Sequence, residues 1–268
     1  MMEILHFEFM QNAFMAGIIL SIVLAVVSFF VVLKRYSFIG VGVAHSAFGG
    51  VALGSLIGIS PTLTALGFAI IISNAIGYIA RREKLSTDTA IGIFFALAMA
   101  LGVIFIGLSD KYNTDLFGYL FGNILAITRT DIAVVGGLGT LVLFACYFFF
   151  KELLFVAFDS EVAFVSGIPV VFLDHFFLTI LALAIVISIK IVGIVLVSAL
   201  LVIPGAAASQ VTERYSSMIA VSIGVALVST TGGLIISYYA DLASGATIVT
   251  LASFIFFIMV GAGRLRKK

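Results

Sequence analysis

The sequence is poor in charge: only 10% of its 268 residues are Asp, Glu, Lys or Arg, whereas 63% are hydrophobic. A soluble domain carries about 25% charged residues, so this chain lacks the groups needed to cover a water-facing surface. Its net charge of +1 gives no basis for binding nucleic acid. With a mean hydropathy of +1.31, the composition predicts a protein that faces lipid over most of its exterior.

Cysteine and proline are also scarce. The lone Cys146 excludes an intramolecular disulfide and a cysteine metal cluster. The only prolines are Pro61, Pro169 and Pro204, so long apolar runs continue without interruption. The sequence has no G-x-x-x-x-G-K-[ST] phosphate loop. We therefore expect no cofactor in this chain, and we expect the energy source for any transport to be a partner or an ion gradient.

Long charge-free apolar runs are what the sequence has in abundance. A bilayer-spanning helix needs about 20 mostly apolar residues, and these runs are too long and too irregular for strands of a membrane barrel. Because lipid offers no partner for open backbone groups, helices are the remaining solution. We predict one all-α domain over residues 1–268, a polytopic membrane bundle of about nine transmembrane helices, or eight if the chain across Lys190 forms one broken helix. The predicted spans are 10–33, 41–60, 62–80, 89–108, 132–150, 172–189, 191–209, 216–239 and 242–263.

The distribution of positive charge predicts the orientation of these spans. When the turns are assigned alternately to two sides, Lys111, Arg129 and Lys190 fall on one side and the other eleven Lys and Arg residues on the other. Cytoplasmic loops carry the excess of Lys and Arg. We therefore expect a multi-pass protein of the cell (inner) membrane with its N-terminus outside and its C-terminus in the cytoplasm.

Two of the predicted loops are unusually long. The outer one, 109–131, contains an apolar segment at 116–125 that is too short to span, and we expect it to be an interfacial or re-entrant helix. In the inner one, 151–175, Asp159 provides a helix N-cap, Glu161 an acid in the first turn, and Gly167 a stop. The spacing predicts a short capped helix near 159–167, either an ordinary loop element or one that transmits motion from a partner.

Polar residues inside membrane spans are candidates for function because they are expensive to place there. His45 stands out, since neutral imidazole is a common ligand of divalent transition metals. Pro204 frees a backbone carbonyl one turn earlier and predicts a kink. Packing is the alternative explanation, because serine can bond to its own helix. The candidates for the translocation path are His45, Ser46, Asn74, Ser198 and Pro204, and His45 is the candidate metal ligand.

Several other residues are predicted to be structural. The glycines around His45 form small-residue faces that let helices approach closely in lipid. We expect Asp88 to cap the fourth span, Asp241 to lie in an outer turn, and Asp174 and His175 to be solvated charges rather than a metal pair.

Six stretches of the sequence, spread along nearly the whole chain, resemble the permease subunit of the zinc/manganese/iron uptake family of ABC transporters. They keep the order that they have in that family. The stretches are VAHSAFGGVALG, LSTDTAIGIFFALAMALGVIF, DLFGYLFGNILAIT, FDSEVAFVSGIPV, IVGIVLVSALLVIPGAAASQVTERYSSM and SYYADLASGATIV.

This resemblance implies an ATP-driven importer of zinc, manganese or iron. It implies a homodimer of permeases, two cytoplasmic ATP-binding subunits and an extracytoplasmic metal-binding protein, with the transported metal, zinc or manganese, as cargo. It also implies that the short cytoplasmic helix is the coupling helix that docks in a groove of the ATPase. The residues that carry this role over to the chain are Asp159, Ser160, Glu161, Ala163 and Gly167.

The family also implies a residue pair around His45, and this chain departs from it. In the family an Asp lies four residues before this His, one helical turn away on the same face. Here that position is Val41. Either another acid meets the ion, or the site is weak, or His45 has a structural role.

Two other classes of function remain as alternatives. A metal-cation transporter driven by an ion gradient usually has intramembrane acids and two related halves, and this sequence shows neither clearly. A membrane enzyme would need a nucleophile–base set or a metal motif such as H-E-x-x-H, and the three histidines are scattered instead.

Overall fold

The fold is known from a computed structural model, which describes residues 6–109, 122 and 127–266. All regular structure in this part of the chain is helical. The predicted interfacial segment 116–125 lies outside the described residues except for Gly122. The helices are α1 (Glu8–Leu33), α2 (Ile39–Ile57), α3 (Pro61–Arg82), α4 (Thr87–Gly107), α5 (Arg129–Phe148), α6 (Phe150–Phe158), α7 (Ser160–Val165), α8 (Val170–Leu200), α9 (Ile203–Val211), α10 (Tyr215–Ala240) and α11 (Ser244–Arg266).

Eight helical segments in the described ranges are long and apolar enough to cross a membrane. Seven correspond one to one with predicted spans. The eighth, Val170–Val211, has 42 residues and contains both predicted spans 172–189 and 191–209. At 1.5 Å per residue a straight helix of this length would be about twice the thickness of a bilayer core. The segment must therefore bend or reverse.

The chain reverses at Gly193, the glycine that follows Lys190 in the predicted turn. Gly193 has φ 76° and ψ 165°, outside the helical region, and only glycine adopts such a backbone easily. Before the break, the Lys190 ammonium lies 2.6 Å from Asp131 in the first turn of α5. After the break, the Gly205 N–H donates to Ser28 Oγ at 3.0 Å, and Ser28 lies near the C-terminal end of α1. The two predicted passes are thus both present within one helical segment.

The bundle has two chemically distinct ends. At one end of the bundle α1 finishes and α2 begins, and Lys34, Arg35 and Arg81 line one cleft there. We call this end the basic end. The short helices α6 and α7 lie at this end, since Phe158 and Ser160 line the same cleft. The opposite end holds the start of α1 and of α5, where Glu8 pairs with Arg129 at 3.0 Å.

Helix α2 is buried among its neighbours because glycines let other helices approach it. A Cβ atom at Gly49 would lie 2.7 Å from the carbonyl oxygen of Ala98 in α4. A Cβ atom at Gly50 would lie 2.7 Å from Cα of Ala65 in α3. Real side chains essentially never come so close, so both positions require glycine. The close packing predicted for this glycine-rich stretch is confirmed, and it places His45 inside the bundle.

Candidate translocation path and partner-facing helix

The short helix α7 begins at a side-chain cap. The Asp159 carboxylate accepts hydrogen bonds, each 3.0 Å long, from the backbone N–H groups of Glu161 and Val162. These bonds satisfy donors that have no partner inside the helix. Ser160 and Glu161 are exposed in its first turn. The cap and the first-turn acid therefore occupy the places that the spacing predicts.

The end of α7 forms a Schellman motif. The Ile168 N–H donates to the Ala163 carbonyl at 3.1 Å, and the Gly167 N–H donates to the Phe164 carbonyl at 3.0 Å. Gly167 has φ 84°, the left-handed conformation that this motif requires and that glycine adopts without strain. The motif links α7 firmly to the chain that enters α8.

One side of α7 packs on the bundle and the other is exposed. Ala163 is fully buried, whereas Val162, Phe164 and Val165 are 50%, 69% and 86% exposed. Phe158, just before the helix, is also exposed. These exposed apolar side chains form a patch beside the charged groups of the basic end. Exposed apolar patches with a polar rim are typical of protein contact sites.

A cleft of about 520 Å³ separates α7 from the ends of α3 and α4. Glu161 and Phe164 line it on the side of α7, and Arg81 lines it on the side of α3. Asp174 and His175, near the start of α8, also line it. The cleft therefore lies between the short helix and the membrane-crossing helices beside it.

His45 lies half-buried in α2 and bonds to its own helix. Its Nδ1 lies 2.9 Å from the Val41 carbonyl oxygen, and its ring meets the Phe95 ring edge-on at 5.2 Å between centroids. A carbonyl only accepts, so Nδ1 carries the proton and the neutral ring keeps a lone pair on Nε2. That nitrogen is the atom able to bind a metal ion. Among the described residues, no group of three or more His, Cys, Asp or Glu side chains is placed to hold one.

Two other predicted path residues also bond to their own helices. The Ser46 hydroxyl donates to the Gly42 carbonyl at 2.7 Å, and the Ser198 hydroxyl donates to the Ile194 carbonyl at 2.8 Å. Ser46 is fully buried and Ser198 partly buried. Such bonds satisfy the hydroxyl without tying one helix to another.

Pro204 coincides with a break in the second pass of the 42-residue segment. Helix α8 ends at Leu200, and α9 begins at Ile203 with Pro204 in its first turn. The kink predicted there is therefore present. The Pro204 carbonyl accepts a hydrogen bond from Ser222 of α10 at 3.3 Å, so a neighbouring helix contacts the bend.

Asn74 belongs to a polar network between α3 and α8. Its Nδ2 donates to Thr179 Oγ1 at 3.0 Å and to the Ile70 carbonyl at 2.9 Å, which leaves Oδ1 as the acceptor. His175 Nδ1 lies 2.8 Å from that oxygen and must therefore carry its proton there. The structure thus brings Asn74 next to His175, while His45 lies on a different helix with different partners.

The environment predicted for Asp174 is wrong. We expected a solvated carboxylate, but its side chain is only 16% exposed and pairs with two cations. Lys34 Nζ lies 2.6 Å from Oδ1, and Arg81 donates to Oδ2. Burial, and then the Asp174 charge, raise the pKa of nearby Tyr36 to about 12, so Tyr36 stays a neutral phenol. The partners lie 140 and 93 residues away in sequence, and no local pattern signals them.

The predictions for two helix ends have different outcomes. Asp88 was expected to cap α4, but the N-cap is Ser86, whose Oγ accepts from the Thr89 N–H at 3.1 Å. Asp88 instead lies in the first turn, where its charge suits the helix dipole. Asp241 does lie in a turn, in the left-handed conformation with φ 52° between α10 and α11.

These features define a class: a multi-pass helical membrane protein with sparse intramembrane polar groups and a short capped helix exposed at its basic end. The model of one transporter family, described as the ABC 3 transport family, matches residues 6–262. The chain belongs to this family.

Known relatives cover almost the whole chain. The manganese transport system membrane protein MntC of Halalkalibacterium halodurans is 35% identical over 95% of this chain and 87% of its own length. The high-affinity zinc uptake system membrane protein ZnuB of Haemophilus influenzae is 33% identical over 94% of this chain and 97% of its own. The solved structure of PsaBC from Streptococcus pneumoniae in complex with Fab contains a chain that is 36% identical, with a TM-score of 0.84 over 94% of this chain and 91% of that one.

Proposed function

We propose that this chain is the membrane-spanning permease subunit of an ATP-driven importer of divalent transition-metal ions. The observation that carries this proposal is the family match over residues 6–262, which includes α7, seven of the eight long helical segments in full and the eighth as far as residue 262. A gradient-driven metal transporter is the alternative, and the family match favours the ATP-driven importer over it.

The cargo is a divalent ion of the zinc, manganese and iron group. Relatives of similar identity carry names of manganese and of zinc systems, so similarity alone does not choose between these metals. A path must let ions leave as well as enter, which suits few and weak ligands. We assign selectivity mainly to an extracytoplasmic metal-binding protein that delivers the ion.

The proposed transport path passes His45. Its Nε2 lone pair is the available ligand atom, and the loss of the family's carboxylate at Val41 predicts a weak, transient contact rather than a storage site. Ser46, Asn74, Ser198 and Pro204 are proposed to line or shape the same path. Hydrogen bonds hold the side chains of Ser46, Asn74 and Ser198 in fixed positions, so the helices and not single side chains would move.

The proposed coupling element is α7, with Asp159, Ser160, Glu161, Ala163 and Gly167. Asp159 and Gly167 fix its two ends, and buried Ala163 seats it on the bundle. Ser160 and Glu161 are exposed to a partner, next to the apolar patch on Val162, Phe164 and Val165. We propose that two permease copies form a homodimer and that each presents α7 to one cytoplasmic ATP-binding subunit. ATP binding would close the two ATP-binding subunits on each other and change which side of the permease is open.

The test uses vesicles that contain the permease and its candidate ATP-binding subunit, supplied in turn with zinc, manganese and iron(II). Glu161→Arg reverses a charge at the proposed contact, so we expect ATP-dependent uptake to fall while the permease still folds. Glu83→Arg is the matched control, because Glu83 is an exposed acid at the basic end outside α7.

Two results would contradict the proposal. Uptake that proceeds without the ATP-binding subunit would favour the gradient-driven alternative. Equal uptake by the Glu161 variant and the Glu83 control would show that α7 does not couple to the ATPase. If the proposal holds, the ion taken up fastest names the cargo.

A further inference from the structure

Near its start, α8 is tied to two other helices through a single carboxylate. Asp174 lies in the second turn of α8, where it pairs with Lys34 at the end of α1 and with Arg81 at the end of α3. Three helices that are far apart in sequence are thereby linked at the basic end.

The link is strong because one of its cations is buried. The Lys34 side chain is 5% exposed, and its ammonium lies 5.8 Å from the centre of the Phe177 ring. A buried charge without a partner is costly, so Lys34 strongly favours arrangements that keep Asp174 within reach. Arg81 is 47% exposed and therefore contributes less.

The same end of α8 is rigidly connected to α7. The two bonds of the Schellman motif hold Gly167 and Ile168 against α7. The Val170 N–H then donates to the Ile168 carbonyl at 2.8 Å, and Pro169 between them has a fixed φ. A displacement of α7 is therefore passed to the start of α8.

The cleft beside α7 gives this displacement room. Glu161 and Phe164 line the cleft on one side, Arg81 lies on another, and Asp174 lines it where α8 begins. Because the cleft separates α7 from α3, a displacement of α7 reaches α3 through the base of α8, where Asp174 holds α8 to α1 and α3. The Asn74–His175 contact adds a second tie between α3 and α8 one residue further along.

We propose that Asp174 is a positioning residue that anchors the base of α8 to α1 and α3, so that a displacement of α7 moves the three helices together. The coupling role of Asp174 rests on the proposed function, whereas its anchoring of α8 to α1 and α3 does not. Without the anchor, α7 and the base of α8 would move with the ATPase, while α1 and α3 would lag behind them.

The principal variant is Asp174→Asn, which removes the charge and keeps the shape. Lys34→Met is the second variant: it breaks the same link from the other side while Asp174 keeps Arg81 as a partner, so it serves if the first does not fold. Asp88→Asn is the matched control, the same change at an exposed carboxylate of the basic end.

The first readout is metal taken up per ATP hydrolysed, measured in one set of vesicles with zinc or manganese. We expect hydrolysis to persist in both anchor variants while uptake per ATP falls about tenfold, within the range of energetic coupling between sites. The control should keep the wild-type ratio. An unchanged ratio in a folded Asp174 variant would overturn the coupling role, and so would equal losses of hydrolysis and uptake.

The second readout needs no transport. Spin labels on cysteines introduced at Val165 and Arg82, in a chain whose buried Cys146 is replaced by Ala, report the distance across the cleft. We expect one narrow distance distribution in wild type and a broad one in both anchor variants. A narrow distribution in the variants would overturn the anchor. If wild-type vesicles show no ATP-driven uptake, the proposed function fails, and these distances alone then decide for or against the anchor.

Discussion

The base of α8 and the middle of α2 satisfy their polar side chains in different ways. Asp174 and His175 bond to other helices, namely α1 and α3. His45 and Ser46 bond to carbonyls of α2 itself, four residues back. A helix of the second kind can shift or rotate without breaking a polar bond to a neighbour. The difference separates a region whose helices are tied to one another by polar bonds from a region whose polar side chains are satisfied within one helix.

The second pass of the 42-residue segment combines both kinds of bond. Ser198 bonds within its own helix, whereas the Gly205 N–H donates to Ser28 of α1 and the Pro204 carbonyl accepts from Ser222 of α10. Helices α1 and α10 belong with the fixed region, since Ser21 donates to Thr230 across their interface at 2.7 Å. Polar bonds between helices are therefore found at the base of α8, between α1 and α10, and along the second pass, whereas His45 and Ser46 of α2 bond within their own helix.

The largest effect on stability is expected at the anchor. Asp174→Leu leaves Lys34 buried without its main counter-ion and should lower the free energy of unfolding by about 3 kcal/mol. The double variant Lys34→Met with Asp174→Leu removes both buried charges and should recover more than half of that loss. Unfolding in mixed micelles measures both values. A single variant as stable as the double one would remove the distinction between the two regions.

A smaller loss is expected where α2 meets α3. In Gly50→Ala the new Cβ would meet the backbone of Ala65 at 2.7 Å, so overpacking should cost about 1–3 kcal/mol. Gly67→Ala is the matched control on the exposed face of α3, where a Cβ meets nothing within 4 Å. It should be neutral or gain up to about 1 kcal/mol from helix propensity. Equal melting temperatures would mean that α2 is not held by close contact.

The smallest effect is expected for a hydroxyl that bonds only within its own helix. Ser198→Ala should change the free energy of unfolding by less than about 0.5 kcal/mol. Asn74→Ala, by contrast, leaves His175 without its acceptor and should cost about 1–3 kcal/mol. Urea or thermal unfolding of the two variants separates these cases. If uptake falls in the stable Ser198 variant, its role lies in the path rather than in the fold.

The membrane spans could be predicted because hydropathy follows directly from composition and run length. The two passes around Lys190 were also predictable, because a charge at Lys190 followed by Gly193 indicates a turn, and the backbone does leave the helical region at Gly193. The cap of α4 was misassigned because Ser86 and Asp88 are both good capping residues, and only the backbone geometry selects between them.

The polar network at the base of α8 could not be predicted. Asp174 and His175 are adjacent in sequence and suggested a pair with one role, yet each bonds to a different partner. Those partners come from α1 and α3, and only the packing of the helices brings them within reach. The role of His45 likewise depends on what approaches it, so it stays a prediction.

The reversal at Gly193 has a consequence for how the protein is made. The passes before and after it are joined by a turn of a few residues, without a longer loop between them. Because the two passes share this turn, we expect them to enter the bilayer together as a helical hairpin. A bulky residue at Gly193 would then act during biosynthesis, by blocking insertion of the pair, before it could affect transport.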